Sequence, residues 1–257
     1  MNNIKRPHGL CFLVLCCTIL NTACINQPNE TPVTEASEQP VTDEQETALP
    51  ASSSPLSAAE YQELRQKITY GSATIPEVLK ALTEQDAGAL ANTMHALYSM
   101  RWNRNIYKLL IDLWQLKKEK YPGLAWNLFA EPPVRIALAS TINRIKIFDT
   151  EEYKTYIRAH ENDEHEFHRA QVVIALGLNG DPVDIPYIKG MAEGNNIYVT
   201  QSAITALALM DAPQARDTLI ELWENHKGSP LGHLIMEVLG KAYKWYPPEE
   251  TGPDKKS

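Results

Sequence analysis

No cysteine follows Cys24: Cys11, Cys16, Cys17 and Cys24 are the only four in 257 residues. The chain beyond that point therefore has no disulfide, no thiol nucleophile and no thiolate metal ligand. Lys and Arg are missing between residues 25 and 57, and no basic stripe appears elsewhere. That excludes the electrostatic footprint a nucleic-acid partner needs. There is no G-x-S-x-G, no P-loop and no Gly-rich dinucleotide turn, so the common hydrolase and nucleotide signatures are absent. The apolar run over residues 10–20 falls short of the roughly 20 residues that span a bilayer.

What is present begins at the N-terminus. Lys5 and Arg6 precede that apolar run, and Asn21, Thr22, Ala23 and Cys24 follow it. A short basic start, about ten apolar residues and a small-residue exit form a secretory signal over residues 1–23. Leu20-Asn21-Thr22-Ala23-Cys24 resembles a bacterial lipobox, with Ala23 directly before the cysteine and Leu20 one place further back than usual. The resemblance implies cleavage after Ala23 and acylation of Cys24, the expected lipidation residue. By the same resemblance, Ile25 in place of an Asp implies the outer membrane, facing the periplasm or the cell surface. Two or three acyl chains, at roughly 0.8 kcal/mol per buried methylene, anchor a protein without a transmembrane helix. The alternative is cleavage nearby without acylation, which gives a freely secreted protein.

Residues 24–57 read as a tether. Five prolines, many Ser and Thr, and Glu30, Glu35, Glu38, Asp43, Glu44 and Glu46 leave little apolar surface to offset ordering entropy. A flexible, acidic segment is expected. Of the net charge of −8, this tether carries −6 and the signal +2, leaving −4 for everything after it.

From residue 58 to 246 the expectation is an all-α repeat domain, followed by a polar tail at 247–257. Helical periodicity predicts helices near 58–69, 76–84, 86–100 and 103–119. Further on the chain repeats itself. Ala175-Leu176 aligns with Ala206-Leu207, Pro182 with Pro213 and Ile188 with Leu219, all at a spacing of 31. Arg135 and Ile142 precede Arg169 and Leu176 by 34. Each unit reads as two helices. In one unit Ala170, Val173, Ile174 and Gly177 share a face, and Asn179-Gly180 makes the turn. Asp181 caps and Pro182 opens a second helix, Asp184 adds charge to its start, and Ile185, Ile188 and Ala192 point inward. In the next, Ala215, Leu219 and Leu222 are the inward positions. The segment from Arg169 through Ala175-Leu176-Gly177 and Gly180-Asp181-Pro182 to Ile188 resembles the short HEAT repeat found in phycobilin lyases. The resemblance implies an α-solenoid of stacked helix pairs whose second helices line a concave, partner-facing side. Tyr187, Thr218 and Glu221 are the candidate contact residues there.

One cluster invites a chemical reading: His160, Glu161, Asp163, Glu164, His165, Glu166 and His168 lie within nine residues. Divalent metal ligation is the sharp reading, and a solvated inter-helix connection the plain one. His165 and His168 are one residue too close for H-E-x-x-H, since Arg169 holds the i+4 place. Deoxyhypusine hydroxylase, another HEAT-like protein, binds iron through His-Glu pairs. The positions matching those pairs are Ala170 and Gln171, and Ile136 and Ala137. No metal site, cofactor or catalytic residue is assigned. Trp102, Trp114, Trp126 and Trp223 are expected in the packing, and Tyr243, Trp245 and Tyr246 as a cap on the last repeat.

The sequence thus reads as a membrane-anchored lipoprotein. Its helical domain is expected to act as an adaptor for a protein partner in the cell envelope, with no enzymatic activity. A metal-dependent enzyme using the 160–168 cluster, and a binder of a cell-wall polymer such as peptidoglycan, are the alternatives.

Overall fold

The computed structural model describes residues 56–145 and 150–247. The expected signal, Cys24, almost all of the tether and the tail beyond residue 247 lie outside the described residues. Within them the chain forms twelve α-helices and no strand. The fold is all-α.

The first helices are set by their caps. α1 (Ala58–Thr69) and α2 (Ile75–Ala81) each start with a capping box, Ser57 with Glu60 and Thr74 with Glu77. Asp86 caps α3 (Ala87–Ala96), which tightens into a 3-10 turn at Leu97–Met100. Asn103 caps α4 (Arg104–Trp114). This helix stops five residues before the expected 119, and the cause is local. Asp112, only 2% exposed, accepts hydrogen bonds from Lys117, Lys120 and Tyr121, which pulls the following segment back across the helix end. Leu116 takes a positive φ of 52° to allow it.

The rest of the chain is α5 (Trp126–Phe129), α6 (Pro132–Ile145), α7 (Glu151–Arg158), α8 (Glu166–Asn179), α9 (Ile185–Ala192), α10 (Ile197–Leu209), α11 (Pro213–Asn225) and α12 (Pro230–Tyr243). α3 packs on α6, α6 on α8, α8 on α10 and α10 on α12. Against this series lie α4 and α7 on α6, α9 on α10, and α11 on both α10 and α12; α9 and α11 also touch.

That arrangement changes which residues are inside. Ile185, Ile188 and Ala192 of α9, and Ala215, Leu219 and Leu222 of α11, are buried as their spacing predicts. α8 departs from its single expected stripe. Val172, Ala175 and Leu176 are buried along with Ala170, Val173 and Gly177, and Ile174 is only half-buried. A helix held between two others has two inner faces, so one stripe does not describe it. Small residues let it fit: a Cβ on Gly177 would lie 2.6 Å from Ala206 Cα.

Four of the hydrogen bonds between elements join positions 30 to 36 residues apart. Ser140 Oγ reaches Ala175 O, Lys189 pairs with Glu221, Asn196 Nδ2 donates to Glu166, and Tyr243 Oη donates to Leu207 O, at sequence separations of 35, 32, 30 and 36.

The tryptophans divide. Trp114 and Trp126 are buried, and Trp223 is half-buried against Trp245, ring centroids 5.3 Å apart. Trp102 is not packed at all. It is 85% exposed, because it sits in the turn just before the Asn103 cap, where the chain reverses on the surface. At the C-terminus Lys244 takes the left-handed conformation (φ 54°) and turns the chain back. Trp245 then meets Trp223, and the Tyr246 ring lies against Gly240.

Candidate functional site

Asn143 is one of three buried polar residues of α6, with Ser140 and Thr141. It lies in the last turn of α6, 4% exposed, and its Oδ1 accepts no hydrogen bond. A buried carbonyl left without a donor costs about 1–3 kcal/mol, so its surroundings are informative. Asn143 lines a cleft of about 350 Å³, together with Thr150, Lys154, Ile157 and Arg158 from the start and body of α7. Leu176 and Asn179 of α8, and Asp181 and Asp184 of the turn after it, form the other wall. The cleft thus opens where the ends of two neighbouring helix pairs meet.

Its electrostatics are set by one ion pair. Asp184, 2% exposed, is bridged by the Arg158 guanidinium, which also holds Glu161 at 2.5 Å. Burial pushes the Asp184 carboxyl above the ordinary aspartate range, and Arg158 offsets only part of that. The turn at Pro182–Asp184 is a 3-10 turn capped by Asp181, and α9 follows from Ile185 with Asp184 as its N-cap residue. Asp184 thus stands at the helix start, and its side chain is buried in the cleft wall against Arg158. Lys154 also lines the cleft, bonded to Glu151 at 2.7 Å. Acceptors (Asn143, Asp181, Asp184) and cations (Lys154, Arg158) thus surround a small apolar floor of Ile157 and Leu176. Among the described residues no serine, cysteine or histidine lines it. Such a cleft is suited to hold a polar segment that donates hydrogen bonds and presents a charge.

The 160–168 cluster lies beside the cleft, between α7 and α8, and its groups are engaged in shaping that connection. His160 Nδ1 meets Tyr156 O at 2.9 Å, and His168 Nδ1 lies 3.0 Å from Asp163 Oδ2. Asp163 also accepts from the His165 N–H, which first among several causes holds its carboxyl below the usual range. Arg169 donates to the carbonyls of Asp163 and Glu164, and Glu166 accepts from Asn196. Among the described residues no three His, Cys, Asp or Glu side chains gather as a metal ion requires.

The three candidate contact residues are not equivalent. Tyr187 is half-buried, and its hydroxyl donates to Glu161 O at 2.7 Å, tying α9 to the α7–α8 connection. Burial first, and the nearby Glu161 second, push that phenol up to about 12. Thr218 Oγ1 is bonded to Gln214 O one turn back. Glu221 is exposed and paired with Lys189 at 2.6 Å, linking α11 to α9. Cys24 lies outside the described residues.

Sequence periodicity gives no role to Asn143 or Arg158, and it reads Asn179 only as part of a turn, whereas all three line the cleft. The signal available for Asn143 is an amide close to Ser140, Thr141 and Arg144 in the last turns of α6. Its meaning depends on what the next helix pair places opposite it. No known family, characterised protein or solved structure matches the chain. No described helix is long and apolar enough to cross a membrane.

Proposed function

We propose that this protein is a cell-envelope lipoprotein held to a membrane, the outer one, by acyl chains on Cys24. Its helix pairs stack as a HEAT-like α-solenoid and serve as an adaptor for a protein partner. The observation that carries the reading is the cleft around Asn143, where a buried, unsatisfied acceptor and a paired charge meet at the junction of two helix pairs. Hydrogen bonds recurring at 30 to 36 residues support the solenoid, because in a stacked array each unit contacts mainly its neighbours. The acidic tether of residues 25–57 lets the domain sample the space around its anchor, which raises its effective concentration near a membrane-bound partner.

The test has two parts. Metabolic labelling with a fatty acid should mark the parent protein and not Cys24→Ala, and only the parent should fractionate with membranes. A photo-crosslinker placed at Lys154, on the cleft, should give a discrete protein adduct in cells, whereas one at Lys241, on α12, should not. An unlabelled parent chain defeats the anchoring half. Equal adducts from both positions, or none from Lys154, defeat the cleft as the contact.

A further inference from the structure

A second set of unsatisfied polar groups lies away from the cleft, where α3 and the turn after it meet the ends of α6 and α8. Arg144, in the last turn of α6, stacks its guanidinium over the Tyr98 ring, 3.7 Å from the centroid. Its Nη1 is shut off from solvent and donates no hydrogen bond. Arg101 approaches the same ring at 4.7 Å, and its one hydrogen bond is a long 3.4 Å contact to Tyr98 O. Among the described residues, neither guanidinium is paired with a carboxylate. Arg158 holds Glu161 and Asp184, Arg216 holds Asp217, and Arg169 is engaged by two carbonyls. Arg135 is also stacked on aromatic rings with one long bond to a carbonyl, but among the described residues only Arg101 and Arg144 share one ring.

The groups behind Arg144 do not compensate. His95 is 2% exposed with neither ring nitrogen well bonded, and Gln171 Oε1 of α8 is likewise without a partner. Gln171 comes near enough to act on the imidazole, but burial first and Arg144 second keep His95 neutral, with its pKa down to about 3. Burial also holds Arg144 down to about 10, helped by Arg101 and opposed by Tyr98. Two like charges thus share one aromatic ring, and among the described residues no counter-charge is paired with either. That arrangement is costly unless an anion joins it.

We propose that Arg101 and Arg144, both set against the Tyr98 ring, form a receptor for an anionic phosphate group. Two guanidinium forks carry two positive charges, and their planar donor sets match the several oxygens of a phosphate better than the two of a carboxylate. A carboxylate neutralises only one of the two charges. Tyr98 and Arg101 are partly exposed, so the ligand has access. Trp102, 85% exposed and 5.1 Å from the Arg101 guanidinium, offers an indole face to whatever the phosphate is attached to. The same chemistry is found in a soluble phosphate ester and in an anionic phospholipid headgroup.

Calorimetric titration of the full-length protein with inorganic phosphate, at constant ionic strength, tests the receptor. Saturable binding is expected, weakened about tenfold or more by Arg144→Gln and by Arg101→Gln, as loss of a charge-assisted hydrogen bond implies. Arg216→Gln should bind as the parent does. If Arg144→Gln loses helix content by circular dichroism, Arg101→Gln, on a partly exposed turn, carries the test. In the second arm, association with phosphatidylglycerol vesicles is compared with phosphatidylcholine vesicles. A preference abolished by the Arg101→Gln/Arg144→Gln pair assigns the site to a lipid headgroup; phosphate binding without that preference assigns it to a soluble ester. No response in either arm, or responses unchanged in the arginine variants, overturns the proposal.

Discussion

Gly177 of α8 and Ala206 of α10 meet with no room for a side chain between them: a Cβ on Gly177 would lie 2.6 Å from both Cα and Cβ of Ala206. Their contact records how closely α10 seats on α8.

Gly177→Ala should therefore destabilise the domain even though alanine favours helix. Overpacking of this kind costs typically 1–3 kcal/mol, more than the ~1 kcal/mol gained from replacing a helical glycine. Urea unfolding followed by circular dichroism measures it. A midpoint at or above the parent's would mean the two helices are not this close.

The Arg158–Asp184 pair should behave as a coupled unit. Arg158→Met strands a carboxylate that is 2% exposed and should cost about 1–3 kcal/mol, less than a wholly buried pair because the guanidinium is partly solvated. Asp184→Asn in the same chain should recover part of that loss. A double-mutant cycle with no interaction energy would remove the pair from the account.

His95 makes stability fall in mild acid. Burial and Arg144 depress its folded pKa to about 3, while an unfolded imidazole titrates near 6.5. Between those values the unfolded chain binds a proton that the folded chain refuses, so stability is lost as pH falls below about 6.5, at up to roughly 1.4 kcal/mol per pH unit. His95→Leu should lose less stability between pH 7 and pH 4 than the parent does. Parallel pH profiles for the two proteins would show that the imidazole is protonated in the fold.

The C-terminal aromatics should report on the packing of the segment after α12 against α11. Trp245→Ala removes the ring that meets Trp223 at 5.3 Å; an aromatic pair contributes about 0.5–1.5 kcal/mol beyond its buried area. Lower thermal stability and a red-shifted tryptophan emission are expected. An unshifted spectrum would place Trp223 in solvent already.

The helical class is legible in the sequence, because apolar residues recur at helical spacing between turn and cap residues. The inward residues of α9 and α11 could be named from spacing, since each of those helices buries one stripe. α8 could not, because its burial depends on having α6 and α10 on both sides. Trp102 was misplaced for a related reason: an aromatic within a helical pattern reads as core, and only the path of the turn puts it outside. The end of α4 was hidden too, since Asp112 gathers Lys117, Lys120 and Tyr121 only once the segment folds back.

The sequence by itself determined the helical class, the repeat spacing, the lipobox-like expectation at Cys24 and the charge of the tether, all of which follow from local pattern and composition. Tertiary structure alone decided which polar groups end up without partners. Asn143, His95, Arg144 and Gln171 look ordinary in the chain. Only the packing of separate helices removes water from them while supplying no substitute, and desolvation is a property of the assembled fold.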